Sequence, residues 1–203
     1  MCTYEVIAVT NRALCRGNFL ARIEQVAQAG PSAILLREKD LSPAEYRELA
    51  GEVIRLCAAN HIRFIAHAFI REAQFLNCKS IHLPLSLLRQ SSTEHLKRFQ
   101  HIGASVHSVE EALEAQRLGA TYLIAGHIYA TDCKKDIKPP GISFLHAICQ
   151  AVQIPVYAIG GMSPENAKEP FSVGARGVCI MSGFMQCENP QSYMRALKRA
   201  LSP

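Results

Sequence analysis

The chain has 203 residues, 49% of them hydrophobic and 19% charged, and a net charge of +5. That length and balance fit one globular domain over 1–203 with a sizeable core, and no apolar run approaches the ~20 residues needed to cross a bilayer. Basic residues are scattered and aromatics are 7% with no Trp, so the charge suits small anionic substrates, or is simply a basic surface; a nucleic-acid partner would want a basic stripe with stacking rings.

The N-terminus, Met1-Cys2-Thr3-Tyr4-Glu5, lacks a basic segment followed by a long apolar one, which points to the cytoplasm and no membrane association. Strand-like runs are Glu5–Val9, Ala33–Leu36, Arg63–Ala66, Ser80–Leu83, Ile102–Val106, Tyr122–Ala125, Pro155–Ile159 and Gly177–Met181. Their continuous apolar character is that of parallel strands covered on both faces. Between them, Phe19-Leu20-Ile23-Val26-Ala27, Tyr46-Leu49-Val53-Leu56-Cys57, Phe144-Leu145-Ile148-Ala151-Val152 and Tyr193-Met194-Leu197-Ala200-Leu201 form helical stripes. Ser42-Pro43 and Ser163-Pro164 read as a cap followed by Pro at the first helical position. Ser108 with Glu111 reads as a capping box, and Gly30, Gly119 and Gly174 as helix stops. Phe69–Cys78 and Leu85–Phe99 carry weaker helical patterns. Eight strands alternating with helices predict a (β/α)8 TIM barrel. The alternative is an open doubly wound sheet, although no G-x-G-x-x-G follows the first strand.

A barrel places its chemistry at the C-terminal strand ends. Those ends carry Arg37-Glu38-Lys39, His67, Ser105-Val106-His107, Gly126-His127, Gly160-Gly161 and Ser182-Gly183. The glycine-containing ends of strands seven and eight suit phosphate, because glycine lets backbone N–H groups approach closely; tight turns that merely need glycine are the alternative. Arg37 and Lys39 alternate, so both face one side as anion contacts, unless one pairs with Glu38. His127 has the pKa range of an acid/base near neutrality. His107 reads as structural. No paired carboxylates stand at strand ends and no Asp/His metal spacing is present, so no metal is expected. The eight cysteines form no C-x-x-C and read as mostly buried thiols.

Leu35-Leu36-Arg37-Glu38-Lys39, Gly103-Ala104-Ser105-Val106-His107, Gly126–Lys134, Ile159-Gly160-Gly161 and Met181-Ser182-Gly183 come in the order of the thiamine phosphate synthase superfamily, and the chain resembles it from end to end. The resemblance implies a barrel that binds a thiazole phosphate. The synthase branch joins a pyrimidine pyrophosphate to thiazole phosphate with Mg²⁺. Its Gln before the Arg corresponds to Leu35, its Asn-Asp after strand three to His67-Ala68, and its second Asp to Leu87. Its Gly-Pro-Val-Phe corresponds to Gly126-His127-Ile128-Tyr129, and a histidine there resembles the thiazole tautomerase (TenI-type) branch. That resemblance implies an isomerase that aromatises a thiazole phosphate carboxylate tautomer without cofactor, His127 moving the proton. It also implies that Gly160, Gly161, Ser182 and Gly183 hold the phosphate. Thr131 and Cys133 match positions near the thiazole phosphate, and Ser105 and Lys134 match pyrophosphate contacts that would here face the carboxylate, with Arg37 and Lys39 nearby. The alternatives are a divergent synthase and a non-catalytic thiazole or thiamine phosphate-binding regulator. Barrels of this type often pair, which leaves a homodimer open.

Overall fold

The structure is a computed structural model that describes residues 4–131 and 138–201. Its strands are β1 (Glu5–Val9), β2 (Ala33–Leu36), β3 (Arg63–His67), β4 (Ser80–Pro84), β5 (His101–Val106), β6 (Tyr122–Gly126), β7 (Val156–Ile159) and β8 (Gly177–Ile180). Each pairs in parallel with the next, and β8 closes onto β1. The chain is therefore the (β/α)8 barrel that its alternation predicts.

The helices between them are α1 (Phe19–Ala29), α2 (Pro43–Ala59), α3 (Ile70–Phe75), α4 (Leu85–Gln90), α5 (Thr93–Leu96), α6 (Val109–Arg117), α7 (Gly141–Ala151), α8 (Glu169–Ser172), α9 (Ser182–Gln186) and α10 (Pro190–Leu201). Because side chains alternate across a strand, β1, β2, β3, β6, β7 and β8 each feed two separate cores, whereas β4 and β5 feed only the outer one. Val6, Ala8, Ile34, Leu36, Ile81 and Leu83 face outward onto the helices. Ile7, Val9, Leu35, Ile65, Ile124 and Cys179 face inward and fill the barrel. Burial on both faces explains the near-continuous apolar runs.

Ser42 caps α2 through a complete capping box with Glu45, and Pro43 follows at the first turn. Ser108 caps α6, but the Glu111 carboxylate accepts the N–H of His107, one residue before the cap. Gly30 closes α1 in the left-handed region. Ser163-Pro164 differs from its expected role. That stretch forms turns, and a helix begins only at Glu169. Asn166 decides this, since its side chain accepts from Ser163 N–H and donates to the Gly161 carbonyl, folding the segment back onto the end of β7. The Leu85–Phe99 region splits into α4 and α5, because the Ser92 hydroxyl starts a new helix by accepting from His95 N–H.

At the N-terminal pole Glu5 gathers Arg63 at 3.1 Å, Arg176 at 2.9 Å and the Tyr157 hydroxyl at 3.0 Å. The six described cysteines are free thiols. No helix among the described residues is long and apolar enough to cross a membrane.

Candidate active site

The opposite, C-terminal pole opens into a cavity of about 290 Å³, close to the lower end of the ~300–1,000 Å³ usual for small-molecule sites. Its wall includes Arg37, Lys39, Ser105, His127, Thr131, Gly160, Gly161 and Ser182. These eight residues, singled out from the sequence on five different strand ends and the loop after β6, thus share one mouth. Cys133 and Lys134 lie outside the described residues.

Arg37 and Lys39 owe their position to Glu38. Glu38 is buried, accepts from the Thr10 hydroxyl at 2.6 Å and from Arg12 N–H at 3.0 Å, and pairs with the Arg12 guanidinium at 3.4 Å. Thr10 Oγ1 in turn accepts the N–H of Arg37 at 2.9 Å. Glu38 is thereby committed to Arg12, and the alternation turns Arg37 and Lys39 together toward the cavity.

The glycines after β7 have a role before any ligand is considered. A Cβ on Gly160 would lie 2.3 Å from His127 Cβ, and one on Gly161 would lie 2.5 Å from the Ala130 carbonyl oxygen. Both glycines are left-handed, with φ of +99° and +65°. The bare backbone allows the loop after β6 to lie directly on β7, where Ile128 N–H donates to Ile159 O at 2.9 Å and Tyr129 N–H to Gly160 O at 3.1 Å. His127 is buried by this packing and still lines the mouth. Gly183 is not part of the wall. Its missing side chain admits Tyr193, whose hydroxyl would sit 2.2 Å from a Cβ there.

His107, read as structural, is exposed at the rim and its Nδ1 donates to the Gly126 carbonyl at 2.5 Å. It therefore steadies the tip of β6 while also lining the cavity.

Sequence reasoning missed His82. It is 2% exposed, and its Nε2 lies 2.8 Å from Ser105 Oγ. His67 stacks on it with ring centroids 6.0 Å apart. The signal was present: within Ser80-Ile81-His82-Leu83 the polar residues alternate with the apolar ones, so His82 faces the interior. Burial first, then the charges of Arg37 and Lys39, push the His67 pKa down to about 3. Burial, then His67 and Arg37, push that of His82 well below its usual range. Both imidazoles are neutral, and the positive charge of the mouth resides on the cations.

The structure thus presents a (β/α)8 barrel whose C-terminal mouth combines cations, hydroxyls and glycine-terminated strands. The chain matches the family model described as thiamine monophosphate synthase over residues 6–184, and it belongs to that family. It is 34% identical to a thiamine-phosphate synthase of Pyrococcus horikoshii, covering 90% of this chain and 88% of that one. It is 33% identical to a thiamine-phosphate synthase of Clostridium acetobutylicum, covering 96% and 93%. A solved thiamine phosphate pyrophosphorylase from Pyrococcus furiosus superposes with a TM-score of 0.83 at 27% identity, covering 97% and 95%.

These relatives overturn the expectation of an isomerase. The first two are named synthases, which are transferases, and the third a pyrophosphorylase; none is named a tautomerase. The inference from His127 failed because a histidine at the tip of β6 marks a place in the mouth; position alone does not select proton transfer over group transfer.

The family's synthase branch implies Mg²⁺, which wants carboxylate oxygens. The positions that the resemblance matches to its ligands are His67, a neutral buried imidazole, Ala68 and Leu87. Glu38, also at this pole, is committed to Thr10 and Arg12. Among the described residues no group of three or more His, Cys, Asp or Glu is placed to hold a metal. The described residues of this set do not fit Mg²⁺.

Proposed function

We propose that this chain is a divergent synthase, a transferase that joins a pyrimidine pyrophosphate to a thiazole phosphate. The reaction breaks the carbon–oxygen bond to pyrophosphate and forms a carbon–nitrogen bond to the thiazole ring. Pyrophosphate leaves with the bonding pair, and no proton need move. The demand on the protein is positive charge at the leaving group and orientation of the two partners.

The observation that carries this reading is Arg37 and Lys39 facing the same mouth as the ends of β7 and β8. In it the two cations and the Ser105 hydroxyl take the pyrophosphate oxygens. Gly160, Gly161 and Ser182 take the ester phosphate of the thiazole, Thr131 flanks it, and His127 contacts the ring. Arginine offers paired donors to phosphate oxygens, and such charge-assisted bonds are about twice as strong as neutral ones.

The test supplies both substrates, with and without Mg²⁺, and follows pyrophosphate release together with thiamine phosphate. We expect both products, and a loss of roughly tenfold or more in kcat/KM for Arg37→Ala. If neither product forms under either condition, the synthase reading is wrong. His67, Ala68 and Leu87 at the metal positions favour a second reading, a non-catalytic binder of thiazole or thiamine phosphate. Calorimetric titration that shows saturable binding without turnover would support that reading instead.

A further inference from the structure

Between the end of β7 and α8, residues 160–168 turn at one rim of the mouth. Gly160 and Gly161 are both left-handed, with φ of +99° and +65°. Without a Cβ, the peptides beside each glycine can rotate widely, so other contacts must fix which way their polar groups face. The carbonyls show which contacts these are. Gly160 O accepts from Tyr129 N–H at 3.1 Å. Gly161 O accepts from Asn166 Nδ2 at 2.8 Å. Asn166 is itself braced, since its Oδ1 accepts from Ser163 N–H at 2.9 Å and its own N–H reaches Ser163 O at 3.2 Å. Both ends of the amide are used, the oxygen toward an N–H and the nitrogen toward a carbonyl, a pairing that an ionised aspartate cannot make because it has no donor.

In a planar trans peptide the C=O and the N–H point in opposite directions. The carbonyl of the peptide between Gly160 and Gly161 is drawn to the loop after β6. Its N–H, that of Gly161, is therefore turned the other way, toward β8, the second neighbour of β7, whose end supplies Ser182 to the wall. The carbonyl of the next peptide is drawn back to Asn166, which turns Met162 N–H away from that segment. Gly161 and Met162 both line the cavity, and among the described residues neither N–H has a hydrogen-bond partner. Two successive N–H groups left open at a turn form a concavity suited to an anion.

We infer that Asn166 is a positioning residue: by holding the Gly161 carbonyl it aims the peptide between Gly161 and Met162, so that Met162 N–H, beside Gly161 N–H, donates to the ester phosphate of the substrate. This rests on the reading of the β7 and β8 ends as the phosphate site. It adds Met162 N–H to that site and gives the amide of Asn166, which does not line the cavity, a part in binding.

The test has two arms on the full chain, each comparing thiazole phosphate with the corresponding thiazole alcohol. The first is spectroscopic and needs no variant. The chain contains a single Gly-Gly and a single Gly-Met sequence, so ¹³C-carbonyl glycine combined with ¹⁵N-glycine or ¹⁵N-methionine isolates the amide signals of Gly161 and Met162. We expect both protons to move downfield with the phosphate and not with the alcohol. Signals that stay in place while the phosphate binds more tightly than the alcohol overturn the inference and leave the phosphate reading standing. The second arm measures both Kd values by calorimetry. The preference for phosphate over alcohol should fall roughly tenfold or more in Asn166→Ala, the worth of one hydrogen bond to a charged group, while the alcohol binds as in the wild type. Asn166→Asp keeps the acceptor for Ser163 N–H but sets a carboxylate against the Gly161 carbonyl, and it should lose the preference as well. If Asn166→Asp keeps the wild-type preference, Asn166 only braces the turn and the inference is wrong. A wild-type protein with no preference for the phosphate overturns the phosphate reading itself, and the inference with it.

Discussion

His67 shows how a single residue couples the site to stability. Its folded pKa is lowered to about 3, chiefly by burial and then by Arg37 and Lys39, whereas in the unfolded chain it titrates near 6.5. Above that value both states are neutral there and the stability contribution is complete. As pH falls, the unfolded state takes a proton that the folded state refuses, so stability declines from about pH 6.5 down toward pH 3. The expected outcome is a loss of up to a few kcal/mol over that range, measured by urea unfolding at stepped pH. His67→Gln should flatten the slope; an unchanged slope would show that His67 does not carry it. The position of His67 was legible from its place at the end of an apolar run. Its neutrality was not, because that depends first on how deeply the closed barrel buries the ring and then on Arg37 and Lys39 arriving from a different strand end.

Helix α2 ties two strand ends together through one side chain. Tyr46 is fully buried; its hydroxyl donates to the Leu36 carbonyl at 3.0 Å and accepts the N–H of His67 at 2.9 Å. The ends of β2 and β3, and hence Arg37 and His67, are held in mutual register by it. Tyr46→Phe removes one atom and leaves both partners buried without it. The expected cost is ~1–3 kcal/mol, read as a lower denaturation midpoint with an unchanged m-value. The loop after β6 and the end of β7 form a second such unit. Gly160→Ala adds a Cβ that collides with His127 at a left-handed backbone position. It should cost ~2–4 kcal/mol, seen in thermal unfolding, and should displace His127 from the mouth. A wild-type melting temperature for this variant would show that the loop does not rest on β7 as described. From the sequence these glycines read as phosphate ligands; that they first serve close packing is visible only when β6 and β7 lie side by side.

At the scale of the whole molecule, barrel closure gathers separate strand ends into one site. Ala68 has φ of +64°, in the left-handed region that Asp adopts more readily than Ala. Leu87 lies in α4, on the next βα unit. Replacing both, as Ala68→Asp with Leu87→Asp, should introduce saturable Mg²⁺ binding that calorimetry does not detect in the parent chain. If the double variant binds no Mg²⁺, the correspondence of these two positions with the synthase carboxylates is wrong.

The sequence by itself determined the barrel, because a strand covered on both faces needs a continuous apolar run, and eight such runs separated by amphipathic helices have few other ways to bury them. It also determined most of the mouth, because barrel strands end at one pole and Arg37, Ser105, His127, Gly160 and Ser182 stand at strand ends. Only the tertiary structure decided the rest. Strand register placed His82 against Ser105 and Tyr122, the commitment of Glu38 to Arg12 turned Arg37 and Lys39 inward, and the contact between His127 and Gly160 fixed the loop above them. These are contacts between strands and loops distant in sequence, set by closure of the sheet, and no local pattern of residue types encodes which of them will meet.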